Sequence, residues 1–424
     1  MKPLLELAIR SAWNRRGTLL LVVVSVALST FMLLSIERMR GDARASFSQA
    51  VSGTDLIVGA RTGPVQLLLY SVFRIGGATN NIRMDSVRFL AQQRAVAWVV
   101  PLSLGDSYRG FPVMGTTADY FVHFRYGNRQ PLALAEGRPF GAGRDGVYEA
   151  VLGAEVAQAL RQRLGDRLVL THGSGKGPAA EHGDKPFKVV GVLAPTGTPV
   201  DRTVHVSLQG LQAIHLDWVA GVPLPGFAVG ADEARARDLE PREVTAALVG
   251  LHNRAAVFSL QRQVASYRPE PLMAILPGVA LDELWSVIGV GERALLGMSA
   301  LVAAVSLAGL VAVVLAGLNE RRRELAVLRA VGAAPRHVLG LLLAEGALVT
   351  LLGLAAGWVL ALAFAAIAGP WLQSAWGIAL QAGAPTASQW AFLAGVGLAG
   401  LLASFVPALR AYRLSLADGL APRI

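Results

Sequence analysis

The chain alternates long apolar runs with segments of mixed polarity. Four runs are long enough to cross a bilayer, which takes about 20 helical residues; they comprise residues 18–36, 294–318, 338–368 and 390–409. The segment between the first two runs, residues 37–293, has the mixture of polar and apolar positions found in a globular domain. The pattern predicts a membrane protein with four transmembrane α-helices and one large α+β domain between helices 1 and 2.

The segment 37–293 carries signals for both helices and strands. Helical patterns are found at Met84–Ala97, Ala154–Leu164 and Pro241–His252. Short apolar or β-branched runs predict strands at Val147–Leu152, Leu168–Thr171, Phe187–Leu193, Thr203–Leu208 and Ala255–Leu260. We expect a polar, Gly-rich loop at Thr171–Lys185, and a helix that starts near Leu281 and continues into the second span.

Arginine is distributed unevenly about the four runs. Basic residues precede the first run, fill the loop between the second and third runs, and follow the fourth run. The outer loop at 369–389 has no charged residue and carries Trp371 and Trp376. Basic loops stay in the cytoplasm and aromatic residues collect at the membrane interface. We therefore expect both termini to lie in the cytoplasm and residues 37–293 to form one domain on the outer side of the membrane.

Both ends of the chain are short segments outside the spans. Residues 1–17 place Leu5, Ile9 and Trp13 on one face, which favours an amphipathic helix on membrane lipid over a simple start of the first span. Residues 410–424 form a basic cytoplasmic tail. Ala43–Ala45 resembles a signal-peptide cleavage site, but charged residues separate it from the apolar run, so an uncleaved anchor is favoured.

The composition is typical of a membrane protein, and it argues against nucleic-acid binding and excludes cysteine-dependent sites. Hydrophobic residues make up 53% of the chain and charged residues only 16%, against roughly 25% charge in soluble domains. The net charge of +10 follows from basic cytoplasmic loops, so nucleic acid is not expected as a partner. Cysteine is absent, which excludes disulfides and thiolate metal sites.

Few residues in the outer segment suggest a chemical site. His172 and His182 flank the Gly-rich loop, so a divalent metal is conceivable there, but surface-loop polarity is favoured and no metal site is assigned. The other histidines of the segment are scattered singly: His123, His205, His215 and His252. G-x-S-x-G and H-E-x-x-H motifs are absent, so we expect no catalytic residue.

An energy source is also missing from the sequence. No G-x-x-x-x-G-K-[ST] phosphate loop occurs, since Gly173–Gly177 lacks its spacing and the hydroxyl residue after lysine. ATP must therefore be hydrolysed elsewhere, if at all. Glu345, in the third run, would hold a proton or ion, or pair with an arginine of the preceding loop, and the pairing is favoured. Gly353 and Gly357 form a G-x-x-x-G pattern, which is typical of close helix packing.

The cytoplasmic loop at 319–337 is both strongly basic and helical in pattern. Leu325, Leu328 and Val331 share one face, and Gly332 is placed to end the helix. A short, basic, exposed helix of this kind suits docking on a cytoplasmic partner. The residues assigned to that contact are Glu320, Arg321, Arg322, Arg323, Glu324, Leu325, Leu328, Arg329, Gly332 and Arg336, with Glu345 supporting the loop.

The same loop carries a resemblance to a known family. Glu320–Ala333, read as E-R-R-R-E-L-A-V-L-R-A-V-G-A, and the following Ala344-Glu345-Gly346 resemble the FtsX/MacB-type permease domain of ABC transporters. Pro407–Leu420 is similar to that family's C-terminal end. Looser similarities to its MacB-type core domain occur at Gly137–Phe140, Val151–Gly153, Leu164–Asp166, Val189–Leu193, Asp201 and Val204. The order of one span, a large outer domain and three spans is also the family's.

The resemblance implies a multi-pass protein of the bacterial inner membrane whose outer domain, residues 37–293, is periplasmic. It also implies a permease dimer, formed with a second copy or a paralogue, on a cytoplasmic ATPase dimer that holds ATP and Mg²⁺. No cofactor is then expected in this chain. Residues 319–337 would be the coupling helix, seated in a groove of the ATPase, and motion would pass through the spans to the outer domain.

Two functions follow from that arrangement. In the first, the chain exports or extracts a substrate from the periplasm or outer leaflet, together with any periplasmic adaptor or lipoprotein. In the alternative, it transmits a mechanical signal to an extracytoplasmic partner such as a cell-wall hydrolase. The large outer domain favours transport. A membrane-anchored enzyme would need a catalytic cluster that the sequence does not show.

Overall fold

The computed structural model describes residues 16–50, 52–173, 182–219, 222–223, 229–320, 327, 330, 332–376, 380 and 382–413. The chain divides into two compact units. The membrane unit comprises Met1–Ala43, Ile288–Gln373 and Ala379–Ile424, and the outer unit comprises Arg44–Val287 and Ser374–Ile378. Most of the predicted N-terminal helix, 1–17, and of the tail, 410–424, lies outside the described residues.

The secondary structure is as follows. The α-helices are α1 (Arg16–Gln49), α2 (Pro64–Leu68), α3 (Met84–Ala91), α4 (Asp119–His123), α5 (Ala154–Leu160), α6 (Leu208–Ile214), α7 (Ala231–Ala236), α8 (Val257–Ala265), α9 (Pro277–Glu320), α10 (Pro335–Trp376) and α11 (Ala387–Arg413). The strands are β1 (Leu56–Ala60), β2 (Ile82–Arg83), β3 (Val96–Tyr108), β4 (Phe111–Thr116), β5 (Arg125–Tyr126), β6 (Gln130–Pro131), β7 (Leu134–Gly137), β8 (Glu149–Leu152), β9 (Arg167–Leu168), β10 (Thr171–His172), β11 (Phe187–Leu193), β12 (Val204–Ser207), β13 (Trp218–Val219), β14 (Val222–Pro223), β15 (Glu243–Val244), β16 (Ala246–Leu251) and β17 (Leu272–Ile275).

Four helices of the described chain are long and apolar enough to cross a membrane: α1, α9, α10 and α11. Each contains one of the apolar runs and continues past it, since a helix does not stop where its residues become polar. A mixed α/β domain lies between the first and second of these helices. Four apolar helices and an interposed mixed domain are therefore the architecture of this protein.

Small residues let the helices of the membrane unit pack closely. Val26, Leu310 and Leu342 lie in one buried apolar cluster contributed by α1, α9 and α10. A Cβ atom at Gly353 would lie 2.6 Å from Val26 Cγ1, and one at Gly357 would lie 2.6 Å from the Ala27 carbonyl oxygen. The G-x-x-x-G pattern of α10 thus faces α1 at backbone contact distance, as helix packing in a membrane favours.

The outer unit is built around one mixed sheet. The strand order in the described residues is β17-β1-β16-β3-β4-β12-β8-β11-β7, with β10 paired to β3 and β9 paired to β11. β12 runs parallel to β4 and β11 runs parallel to β8, whereas the other pairs along this order are antiparallel. The long strand β3 extends far enough to pair Asp106 with His172 of β10.

Helices pack on the sheet through two buried clusters. One cluster includes Phe187 of β11 and Ile214 of α6; the other includes Val249 of β16 and Leu260 of α8. α6 begins after Ser207, whose hydroxyl accepts a hydrogen bond from the Gly210 amide at 3.0 Å, as an N-cap does. Capping and burial together fix α6, whose C-terminal end is followed directly by His215.

Two expectations for the outer unit are wrong. Pro241–His252, expected as a helix, forms β15 and β16, and Ala255–Leu260, expected as a strand, belongs to a 3₁₀ turn and α8. β16 lies between β1 and β3 and is buried along most of its length. Such a central strand has a continuous apolar run without alternation, which periodicity cannot distinguish from a short buried helix.

Two glycines in the segments similar to the MacB-type core domain lie where backbones approach closely. A Cβ atom at Gly153 would lie 2.3 Å from the Asp201 carbonyl oxygen. Gly137 has a φ of +76°, and a Cβ atom there would lie 2.2 Å from the Val190 carbonyl oxygen. Only glycine fits either position, so a steric requirement of the fold accounts for these parts of the resemblance.

Candidate functional site

The predicted ATPase-coupling residues lie mostly outside the described part of the chain. This holds for Arg321, Arg322, Arg323, Glu324, Leu325, Leu328 and Arg329. Glu320 is the last residue of α9. Gly332 has a φ of +104°, which suits a residue that ends a helix. Arg336 is exposed in the first turn of α10, and Glu345 is half-buried further along the same helix.

A second set of polar residues meets in the outer unit. Asp106, His172, His182 and His215 each direct one ligand-type atom to a common point, and these four atoms lie within 4.8 Å of one another. We call this set the His/Asp cluster. Asp106 and His182 are buried, and His172 and His215 are half-buried. The interpretation of His182 as a surface-loop residue is wrong, because its side chain is only 1% exposed.

Three separate parts of the fold position the cluster. Asp106 and His172 are cross-strand partners on β3 and β10. The His182 amide donates a hydrogen bond of 2.9 Å to the Leu170 carbonyl, which fixes His182 beside β10 after the Gly-rich loop. His215 follows the last residue of α6.

The distances within the cluster are short. His172 Nδ1 lies 3.1 Å from Asp106 Oδ1 and 3.1 Å from His215 Nε2. His215 Nε2 lies 3.5 Å from Asp106 Oδ2. His215 Nδ1 is 2.9 Å from the Leu211 carbonyl oxygen; a carbonyl can only accept, so Nδ1 carries the proton. In neutral His215 the lone pair of Nε2 therefore faces the cluster.

Burial and mutual contact shift the pKa values of three members. Burial alone would raise the pKa of Asp106, but its contacts with His172 and His215 lower it to about 2. The close contact with Asp106 raises the pKa of His172. Burial, and after it the charge of nearby His215, lowers the pKa of His182 to about 4. At neutral pH the cluster thus contains an anionic carboxylate and an uncharged buried imidazole.

A buried ion pair braces the same region. Lys185 Nζ lies 2.8 Å from both carboxylate oxygens of Asp217, and the lysine side chain is 0% exposed. Asp217 Oδ2 also accepts a hydrogen bond of 3.1 Å from the Val229 amide. Lys185 closely follows His182, and Asp217 closely follows His215. The pair therefore ties together two segments that carry members of the cluster.

The sequence indicates only two of the four members of the cluster. His172 and His182 flank one loop, whereas no motif marks Asp106 and His215 is isolated in the sequence. Asp106 is joined to them by the register of β3 and β10, and His215 by the packing of α6. His123 and His205 lie elsewhere: His123 stacks on Trp98 at 5.1 Å between ring centroids, and buried His205 lies beside Tyr120 at 5.5 Å.

Comparison with known proteins yields matches in both units. The model of the MacB-like periplasmic core domain matches residues 17–247, and that of the FtsX-like permease C-terminal domain matches residues 296–416. No curated protein matches the chain.

Among solved structures, the periplasmic region of MacB from Actinobacillus actinomycetemcomitans is similar at 12% identity and a TM-score of 0.34, covering 56% of this chain and 97% of that one. The extracellular domain of the ABC-type transporter YknZ from Gram-positive bacteria is similar at 12% identity and a TM-score of 0.30, covering 52% of this chain and 99% of that one.

Proposed function

The chain belongs to the family of ABC transporter permeases that combine an FtsX-like permease domain with a MacB-like periplasmic core domain, and from this membership we propose that a separate cytoplasmic ATPase drives it. It is a multi-pass inner-membrane protein with a periplasmic domain. In our proposal both termini lie in the cytoplasm, and ATP-driven motion is converted into movement of the outer unit. The substrate is exported or extracted from the periplasm or outer leaflet.

The lack of a phosphate-binding loop supports a separate energy source. Backbone amides of a G-x-x-x-x-G-K-[ST] loop cradle the phosphates in ATPases of this kind, and the sequence contains no such loop. ATP and Mg²⁺ are therefore held by the partner, an ATPase dimer. A second permease copy or a paralogue would complete the assembly.

The cytoplasmic loop between α9 and α10 is the proposed point of contact. The high density of arginine at Arg321–Arg323, Arg329 and Arg336 is the single observation that carries this assignment. Arginine-rich short loops stay on the cytoplasmic side. The apolar face of Leu325, Leu328 and Val331 needs a cover, which a groove of the ATPase would supply.

Contacts between α1 and α9 outside their apolar runs support the proposal that these helices pass on the ATP-driven motion. In the membrane unit, Arg40 Nε lies 2.9 Å from Glu292 Oε2. In the outer unit, Phe47 meets Trp285 edge-on at 5.6 Å between ring centroids, and Arg44 lies over the Trp285 ring at 5.7 Å. Two helices linked at several levels move together more readily than two independent ones, so a displacement of one would reach the other.

The test introduces a charged side chain on the proposed docking face by substitution. Leu328→Asp places a carboxylate against whatever covers that face, at a cost of several kcal/mol if the charge stays unpaired. We expect this variant to lose the ATPase during co-purification and to fail in complementation at normal membrane levels. Arg322→Glu should weaken binding less, because rim charges contribute modestly and are screened by salt.

A matched control lies two positions beyond Leu328. Ala330 is exposed, and at helical spacing it falls on the other side of the helix from Leu328, so Ala330→Asp should keep the ATPase bound. Full partner binding and full function in Leu328→Asp would show that the loop is not the coupling helix. Equal loss in both variants would show that the contact is not restricted to this face.

A further inference from the structure

The His/Asp cluster has the ligand spacing of a metal centre. A tetrahedral zinc site with bonds of about 2.0–2.1 Å has edges of about 3.3 Å between ligand atoms. His172 Nδ1 lies 3.1 Å from Asp106 Oδ1 and 3.1 Å from His215 Nε2, and His215 Nε2 lies 3.5 Å from Asp106 Oδ2. These contacts are close to that edge length, and one ligand atom from each of these residues and from His182 lies within 4.8 Å of the others.

Hydrogen bonding leaves two members of the cluster unsatisfied. Both ring nitrogens of His182 and both carboxylate oxygens of Asp106 are buried and have no hydrogen-bond partner among the described residues. A buried polar atom without a partner costs about 1–3 kcal/mol. A positively charged ion bound between the four side chains would satisfy one nitrogen of His182 and an oxygen of Asp106.

The surroundings hold the ligands in place. His215 donates its Nδ1 proton to the Leu211 carbonyl, the kind of outer contact that orients metal-binding histidines. The ring of Trp218 packs on His182 at 4.3 Å and near His172 at 5.6 Å between centroids. The ion pair of Lys185 and Asp217 joins the segments of His182 and His215. Such support restricts the rotation of the ligands.

We propose that Asp106, His172, His182 and His215 bind a divalent transition-metal ion of the zinc type in the outer unit. Three imidazoles and one carboxylate suit zinc and its neighbours in the first transition row, whereas magnesium and calcium prefer oxygen ligands. Four protein ligands leave no open position in a tetrahedral site, as in structural zinc sites and unlike catalytic ones. This proposal does not depend on the coupling assignment.

Metal binding needs a lone pair on His172 Nδ1, which lies 3.1 Å from both Asp106 Oδ1 and His215 Nε2. A proton on Nδ1 must leave that atom: it is transferred to Nε2 if the imidazole is neutral, and it goes to solvent if Nε2 already carries a proton. In both cases His172 binds the ion as a neutral imidazole with its proton on Nε2. The bound ion would link β3, β10, α6 and the end of the Gly-rich loop into one connected group.

The test measures zinc binding to the full chain in detergent. The protein is purified without a histidine tag, and bound metal is first removed with a chelator. We expect one tightly bound Zn²⁺ per chain by titration calorimetry and elemental analysis. X-ray absorption should give zinc–nitrogen distances of about 2.0–2.1 Å. Bound Co²⁺ should show the visible absorption of a four-coordinate site.

Two variants and a control separate ligation from folding. His182→Phe keeps an aromatic ring in the buried position and should weaken zinc binding about 100-fold or more, as should Asp106→Asn, which keeps the side-chain size. His123→Phe changes a histidine outside the cluster and should leave binding unchanged. Absence of tight binding in the wild type, or unchanged binding in a folded His182→Phe variant, would overturn the proposal.

Discussion

The buried ion pair of the outer unit gives a sharp prediction for stability. Lys185 is bound by two carboxylates that differ in burial: the Asp217 side chain is 8% exposed, whereas the Asp184 side chain, at 3.0 Å from Nζ, is 54% exposed. Breaking a buried pair from one side costs about 3–5 kcal/mol. Exposed pairs contribute about 0–1 kcal/mol. Removal of Asp217 should therefore lower the free energy of unfolding much more than removal of Asp184.

Asp217→Ala should destabilise the outer unit by about 3 kcal/mol, the lower end of the buried range, because Asp184 still contacts the lysine. The Val229 amide also loses its acceptor. For a unit of this size each kcal/mol lowers the melting temperature by about 2–4 °C, so the transition should fall by roughly 6–12 °C. Asp184→Ala should lower it by less than about 4 °C.

The assay is thermal unfolding of the full chain in detergent, with hydrogen exchange to localise the change. Exchange should increase around Lys185 and Val229 in Asp217→Ala and remain near the wild-type level in Asp184→Ala. The double variant Lys185→Met, Asp217→Leu should recover part of the stability, because apolar side chains of similar size replace a buried pair at little cost, while the Val229 amide still lacks its acceptor. Equal melting temperatures for Asp217→Ala and Asp184→Ala would refute the reasoning.

Two further predictions concern the membrane unit and the orientation of the chain. Gly357→Ala places a Cβ atom 2.6 Å from the Ala27 carbonyl oxygen, so we expect it to lower the free energy of unfolding by about 1–3 kcal/mol. Gly340→Ala on the same helix meets no atom within 4 Å and should cause no loss. Equal stability of the two variants would exclude a tight contact of α10 with α1. Reporter fusions near Gly175 should read as periplasmic and near Ala334 as cytoplasmic, and a cytoplasmic reading at Gly175 would overturn the architecture.

The membrane architecture could be predicted because its signals are local. An apolar run of sufficient length reports a span without reference to the rest of the chain. The secondary structure of the outer unit depends on long-range contacts. β16 is a strand because β1 and β3 pair with it on both sides, and the residues Ala246–Leu251 alone do not indicate that pairing. The helix expected there had the same apolar content, so only long-range pairing decides the outcome.

The candidate metal centre shows the same limit. His172 and His182 are close in sequence and drew notice, but a two-histidine loop is more often simple surface polarity. In the folded chain His182 is buried, and Asp106 and His215 from distant segments lie next to it. Strand register and helix packing place those two residues, and neither can be derived from spacing along one chain.

A separate ATPase that binds this permease is the central element of the proposed function. The most direct measurement is affinity purification of the chain from its native membrane in mild detergent, with identification of the bound proteins and assay of ATP hydrolysis. We predict that an ABC-type ATPase subunit co-purifies and that hydrolysis is found with that complex but not with the chain alone. Robust hydrolysis by the pure chain, or purification of an intact chain without any ATPase, would contradict the account.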